Sequence, residues 1–302
     1  MISRRTLIEA FAAGASLAAA PALAADNDSY PWPLGVQLWS VKPEMDADFD
    51  GTLRALGRLG FREVETAGLH GRSANAFRES LDRAGLRAVS AHVAMGDLRA
   101  DPAGRIADAK ALGAKWLVVS SPQPDRPLPQ GRDWIDAMHE AMTPTAWAEN
   151  AADLTRFGAA AKRAGLMLAY HNHPFDLARY DGKRGLDMLI AATDPELVKL
   201  ELDIAWAVAG GADPVDMLNR HGDRIRLIHV KGLHSRPEAG SYGSDFSTGV
   251  VGSDDVIDWP RVLRAAKRAG VMHGFVEQEP PHVQPILQSL AACRDYLRAL
   301  TL

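Results

Sequence analysis

Arg163-Ala164-Gly165-Leu166-Met167-Leu168-Ala169-Tyr170-His171-Asn172-His173 contains the unit from which the fold can be read. An amphipathic segment ends on a basic residue and a glycine, an apolar run begins at once, and the run stops on two histidines. Glycine supplies the left-handed conformation that ends a helix, and a basic side chain just before it suits the helix C-terminus. So short an apolar run reads as a strand covered on both faces, as in a parallel sheet. The phrase returns as Arg58-Leu59-Gly60-Phe61, Arg83-Ala84-Gly85-Leu86, Ala111-Leu112-Gly113-Ala114 and Arg268-Ala269-Gly270-Val271.

Working outward, strands are expected to start near Leu34, Phe61, Leu86, Lys115, Leu166, Leu197, Ile225 and Val271, with a last helix from about Val283 to Leu300. Eight alternating β/α units without a Gly-rich dinucleotide fingerprint predict an α/β protein, a closed (β/α)8 TIM barrel forming a single domain over residues 26–302. Two stretches break the spacing. Residues 122–144 carry Pro122, Pro124, Pro127 and Pro129, which exclude regular structure, and residues 232–258 are rich in Gly and Ser. Both follow strands, on the face where barrels place their sites, and long loops there act as lids or substrate walls.

The first 25 residues read differently. Ser3-Arg4-Arg5-Thr6-Leu7-Ile8 precedes an alanine-rich apolar stretch from Phe11 to Ala20, and Ala22-Leu23-Ala24 offers a small-x-small cleavage site. The segment resembles a bacterial twin-arginine signal peptide. That implies export to the periplasm after folding, with a metal loaded beforehand, and no membrane association once the leader is cut. The one cysteine, Cys293, permits no intramolecular disulfide and sits on an apolar helix face as a core residue. The net charge is −4 and no basic stripe is present, so nucleic acid is not an expected partner.

Four apolar runs end on metal-ligand residue types: Tyr170-His171-Asn172-His173, Glu201-Leu202-Asp203, His229-Val230-Lys231 and Glu277-Gln278-Glu279. In a parallel barrel those ends converge on one face, where carboxylates and imidazoles make a divalent-metal site. A carboxylate interrupting a buried strand, as Asp203 does, is costly unless paired or metal-bound; a plain helix cap is the other reading. Glu201 shares its parity and is expected to point inward one layer deeper. His229 reads as a ligand or a core histidine. Lys231 shares its face nearer the mouth, where it can support a substrate oxygen or an enolate. Glu277 and Glu279 flank Gln278 on one face, and His171 and His173 share a face with Asn172 opposite. Gln37, Trp39, Glu65, His92 and Ser120-Ser121 follow other strands and are expected to add substrate contacts at the same mouth. Trp39, Trp206 and Tyr170 are candidates for stacking on a sugar.

Gly35-Val36-Gln37-Leu38-Trp39-Ser40, Val64-Glu65, Tyr170-His171-Asn172-His173, Leu202-Asp203, His229-Val230-Lys231, Ile257-Asp258-Trp259 and Phe275-Val276-Glu277-Gln278-Glu279 together resemble the sugar phosphate isomerase/epimerase-like family, the barrels related to xylose isomerase. The resemblance implies one divalent cation, often manganese, with zinc, cobalt or magnesium as alternatives. The family holds it with Glu, Asp, His and Glu. Asp203, His229 and Glu277 match the last three positions. The first carries His171 where Glu is usual, which leaves His173 and Asp176 as alternatives and removes one of the two carboxylates that serve as paired acid and base in the family's ketose epimerases. Barrels of this family are often dimers or tetramers, so a homo-oligomer is possible.

The expected function is a metal-dependent isomerase or epimerase that removes a proton beside a carbohydrate carbonyl, with Glu277, Glu279 or His173 moving the proton and Lys231 supporting the oxyanion. β-Elimination or hydration of a keto-sugar is the alternative on the same barrel. The acidic chain lacks a Gly-rich phosphate cradle, so the small-molecule carbohydrate is expected to be unphosphorylated. Two rivals are a multi-metal phosphodiesterase, which the charge opposes, and a non-catalytic sugar-binding barrel.

Overall fold

The computed structural model describes residues 29–235, 242, 247–280, 282 and 284–302. The expected leader lies outside the described residues. Eight strands form a closed parallel barrel: β1 (Gly35–Gln37), β2 (Glu63–Ala67), β3 (Arg87–Ala94), β4 (Trp116–Ser121), β5 (Met167–His171), β6 (Val198–Asp203), β7 (Ile225–Val230) and β8 (His273–Val276). Each strand pairs with its sequence neighbours, and β8 closes on β1 through Gly35 opposite Phe275.

Most strands begin one or two residues later than the apolar runs suggest, and the cause is local. In all five Gly phrases the residue after the glycine still belongs to the preceding helix end. Phe61, Leu86, Ala114, Leu166 and Val271 donate their N–H groups to the carbonyls of Leu56, Leu81, Ala109, Ala161 and Ala266. The glycines between them have φ from 70° to 95°. This is the Schellman arrangement, in which the residue after the left-handed one folds back onto the last turn. The apolar side chain therefore packs under its own helix before the strand starts.

The barrel interior is layered. Ala169, Leu227 and Phe275 belong to an apolar cluster with Val89, Trp116 and Val118. Two residues further along the same strands stand His171, His229 and Glu277, so the polar groups sit directly on an apolar plug. The two expected insertions hold more order than the prolines imply. A helix over Trp134–Ala141 forms beyond the last of the four prolines, and Gly232–Leu233 pairs with Thr248–Gly249 as a short antiparallel ribbon. The last helix is Ile286–Ala299, shorter than expected at its start. Among the described residues no helix is long and apolar enough to cross a membrane.

Candidate metal centre

His229, at the end of β7 and fully buried, is the hub. Its Nε2 lies 2.7 Å from Glu65 Oε1 and 3.3 Å from Glu201 Oε2. Its Nδ1 lies 2.8 Å from Glu277 Oε2 and 3.5 Å from Asp203 Oδ2. Burial opposes charging this ring, yet Glu201 and Glu277 overcome it and hold its pKa well above the ordinary histidine value. Glu65 accepts on one side, so Nδ1 is the nitrogen left for the Asp203–Glu277 side. A carboxylate behind an imidazole in this way fixes ring orientation in metal sites.

Below His229 the network is dense. Glu65 Oε1 also accepts from Gln37 Nε2 at 2.7 Å, and Ser90 donates to Glu65 Oε2. His92 Nε2 lies 2.8 Å from Glu65 Oε1 and 2.7 Å from Glu201 Oε2. Burial disfavours the charged His92 ring, but the two carboxylates raise its pKa to about 9. Gln37 accepts from the Trp39 N–H through Oε1, so its amide nitrogen faces His92 Nδ1 at 3.2 Å and opposes a second proton there. The Nε2 nitrogen of His92 carries a proton in either state. Burial would raise the Glu65 pKa; the charges of His92 and His229 hold it below the usual carboxylate range.

Asp203 caps a helix with one oxygen and turns the other toward His229 and Lys231. Oδ1 accepts from the Trp206 N–H at 2.8 Å and caps the helix Ile204–Ala209. Oδ2 is buried and has no hydrogen-bond partner. Asn172 holds the backbone of Asp203 from the side: its Oδ1 accepts from the Asp203 N–H at 2.9 Å and its Nδ2 donates to the Asp203 carbonyl at 3.4 Å. Lys231 is completely buried, with Nζ 3.1 Å from Asp203 Oδ2 and 2.7 Å from Glu277 Oε2. Burial would lower its pKa, but the carboxylates raise it, and Lys231 with His229 keeps Glu277 ionised against the cost of burial.

The cluster opens into a cleft of about 1100 Å³. Its walls include Trp39, His92, His171, His173, Trp206, Glu277 and Glu279. His173 stacks on Phe175 and meets the edge of Trp134 with ring centroids 4.9 Å apart. Burial and the Lys231 charge push its pKa down to about 3. Glu279 accepts from Trp39 Nε1 at 2.9 Å and from Lys231 at 3.1 Å.

Asp203, His229 and Glu277 each offer an atom within 4.8 Å of the others, and His92, His171, Glu201 and His229 form a second such group. Asp203 Oδ2, buried without a hydrogen bond and facing His229 and Lys231, and the mixed carboxylate–imidazole donors fit a divalent cation. The structure thus brings together Asp203, His229 and Glu277 of the expected ligand set. His171 falls in the second group. Its Nδ1 is 3.4 Å from Glu201 Oε2 without a hydrogen bond, and burial, followed by the positive charges around it, keeps its pKa well below the ordinary value. Asp176 lies apart, bonded to the Tyr170 hydroxyl at 2.8 Å, and burial raises its pKa well above the carboxylate range. Tyr170 is fully buried and has no access to a sugar face. Gln37 and Glu65 are fully buried beneath the cluster, whereas Trp39 and His92 line the cleft. Trp134 and Asn172 were not marked for these roles; an aromatic in an insertion on the catalytic face was the available signal for the first.

A profile of the xylose isomerase-like TIM barrel family matches residues 53–300. The chain belongs to that family. An inosose dehydratase of Geobacillus thermodenitrificans is 29% identical over 277 residues, covering 85% of this chain and 91% of its own length. An inosose dehydratase of Lacticaseibacillus casei is 28% identical over 208 residues, covering 63% of this chain, and the match spans 66% of that relative's length. Among solved structures, a sugar phosphate isomerase/epimerase of Parabacteroides distasonis superposes with a TM-score of 0.71 at 20% identity, covering 93% of this chain and 96% of that one. The IolI protein, solved with a bound zinc atom, superposes at 0.64 and 15% identity, covering 87% and 95%. At these identities the structural matches establish the fold.

Proposed function

We propose that this chain is a divalent-metal-dependent enzyme that removes a proton beside the carbonyl of a cyclic keto-polyol or keto-sugar and then expels a β-hydroxyl as water. The observation that carries this reading is the placement of a neutral imidazole, His173, and a carboxylate, Glu279, in the cleft that Glu277 of the Asp203–His229–Glu277 cluster also lines. Those three residues would hold the cation, with His171 the nearest further imidazole. A bound divalent ion supplies Lewis acidity toward a carbonyl oxygen.

The chain's own groups account for the rest. His173 is unprotonated at neutral pH and so can accept a proton. With a pKa of about 3 it is a weak base in the free protein. It becomes competent when negative charge develops beside it, as it does while an enolate forms. Lys231 supplies fixed positive charge on the same side. The leaving hydroxyl takes the proton that His173 has removed from carbon and departs as water, while Glu279, whose oxygens accept from Trp39 and Lys231, orients that hydroxyl. Trp39, 46% exposed, and Trp134, 41% exposed, give apolar walls for a ring. Dehydration is favoured over epimerisation by the names of the relatives and by the resemblance, which implies His171 at the position where the family's epimerases carry a second carboxylate. Return of the proton to carbon, giving isomerisation or epimerisation, is the second reading.

The test is to incubate manganese-reloaded protein with inosose in deuterated water and follow it by NMR. Deuterium at the carbon beside the carbonyl together with a dehydrated product is expected, and both should vanish in His173→Ala with the metal retained. Full metal occupancy with no exchange on inosose or on keto-hexoses would reject the reading. We also propose that residues 1–25 direct export; replacing Arg4 and Arg5 by Lys should trap the protein in the cytoplasm, and normal export of that variant would remove the proposal.

A further inference from the structure

Lys231 follows β7 directly and is fully buried beside a cleft that opens to solvent. Its Nζ contacts three carboxylates: Glu277 Oε2 at 2.7 Å, Asp203 Oδ2 at 3.1 Å and Glu279 Oε1 at 3.1 Å. The face of the Trp206 ring lies 3.8 Å away and adds a cation–π contact. Two of the three oxygens matter most. Glu277 Oε2 and Asp203 Oδ2 are the same atoms that face His229 Nδ1. A divalent ion held by Asp203, His229 and Glu277 on that side would draw on oxygens that the ammonium already engages.

We propose that Lys231 is a tethered counter-cation of the Asp203–Glu277 pair, holding the site together when no divalent ion is bound and yielding toward Glu279 when one binds. The proposal rests on the metal reading above. Two buried carboxylates facing one imidazole repel each other, and a fixed ammonium between them prevents the site from opening. When a divalent ion enters, two cations cannot share the same pair of oxygens without strong repulsion. Glu279 provides the alternative partner. It is half-buried, its Oε1 already accepts from Lys231, and its other oxygen is fixed by Trp39 Nε1. The ammonium therefore keeps a carboxylate partner while it gives up the other two. A built-in competitor of this kind makes the divalent ion exchangeable and leaves the metal-free barrel assembled.

The experiment is calorimetric titration of Mn²⁺ into metal-stripped full-length protein, comparing wild type, Lys231→Met, Glu279→Gln and the double variant. Lys231→Met should bind Mn²⁺ more tightly, on the order of tenfold or more, because the competing charge is gone. Glu279→Gln should bind on the order of tenfold more weakly, because the displaced ammonium loses its partner. The double variant should match Lys231→Met, since Glu279 acts on the metal only through Lys231. Mn²⁺ binding in wild type with equal or weaker affinity in Lys231→Met overturns the proposal and leaves the metal site standing. Binding by neither protein overturns both. If Lys231→Met does not fold without metal, Glu279→Gln decides alone: an unchanged affinity there overturns the proposal.

Discussion

Replacing Asn172 with Ala isolates the support behind the candidate metal centre. Backbone pairing between β5 and β6 ends at His171 opposite Glu201, so the next rung has no backbone partner. Asn172 supplies it with a side-chain amide, accepting from the Asp203 N–H at 2.9 Å and donating to its carbonyl at 3.4 Å. Asn172 is 2% exposed, so water does not reach these groups. Truncation leaves a buried N–H unpaired, at a cost of about 1–3 kcal/mol. The longer bond adds little. The expected loss is about 2 kcal/mol, or a fall in Tm of roughly 4–8 °C for a domain of this size. Asp203 also loses the group that fixes its backbone, so divalent-ion affinity should drop by about 10–100-fold, as when other supporting contacts in metal sites are removed. Urea denaturation of metal-stripped protein gives the first number and Mn²⁺ titration the second. A stability loss below about 0.5 kcal/mol, or unchanged affinity, would refute the claim that this amide positions Asp203.

Two further outcomes follow from other parts of the barrel. His92 has its pKa raised by Glu65 and Glu201 to about 9, so its contribution is fully present below about pH 6.5 and is lost as pH rises toward 9. Metal-stripped protein should lose up to about 3 kcal/mol over that window, with His229 acting in the same direction; a flat profile between pH 6 and 9.5 would show that Gln37 keeps His92 neutral throughout. In the helix Pro144–Arg163, a Cβ at Gly158 would lie 2.4 Å from the Leu197 carbonyl oxygen. Gly158→Ala should therefore destabilise by about 1–3 kcal/mol through backbone displacement, despite a helix-propensity gain of about 1 kcal/mol, and a rise in Tm would show that the close approach is relieved without cost.

The residues that were legible in the sequence are those governed by local rules. The glycines of the five repeated phrases, all with positive φ, mark helix ends because only glycine takes that conformation freely, and alternation along β6, β7 and β8 puts Glu201, Asp203, His229 and Glu277 on the inner face. Depth inside the barrel was not legible. Gln37 and Glu65 have the correct parity for the interior, but register shifts such as the one between Val64 and Glu65 decide how far up the axis each side chain stands. They are buried under His229, while His92 on the next strand reaches the cleft. Side chains delivered from insertions were equally hidden: Trp134 meets His173 only because its helix packs against the segment Pro174–Leu177. Lys231 looked like a residue of the mouth. Asp203 and the Glu277–Glu279 pair, from two other strand ends that no local pattern joins to Lys231, hold it inside.

Asp203 carries a consequence for how this barrel can change. One of its oxygens caps the helix Ile204–Ala209 while the other faces His229. Glutamate offers the same donor chemistry toward a cation, but it is not among the side chains that cap helices well. Histidine and cysteine, ligands that would shift metal preference, do not cap either. The identity of this candidate ligand is therefore constrained by the helix that follows it as well as by any ion it would hold. Divergence toward a different metal is expected to run through His171, Glu277 and their neighbours, with position 203 left as aspartate.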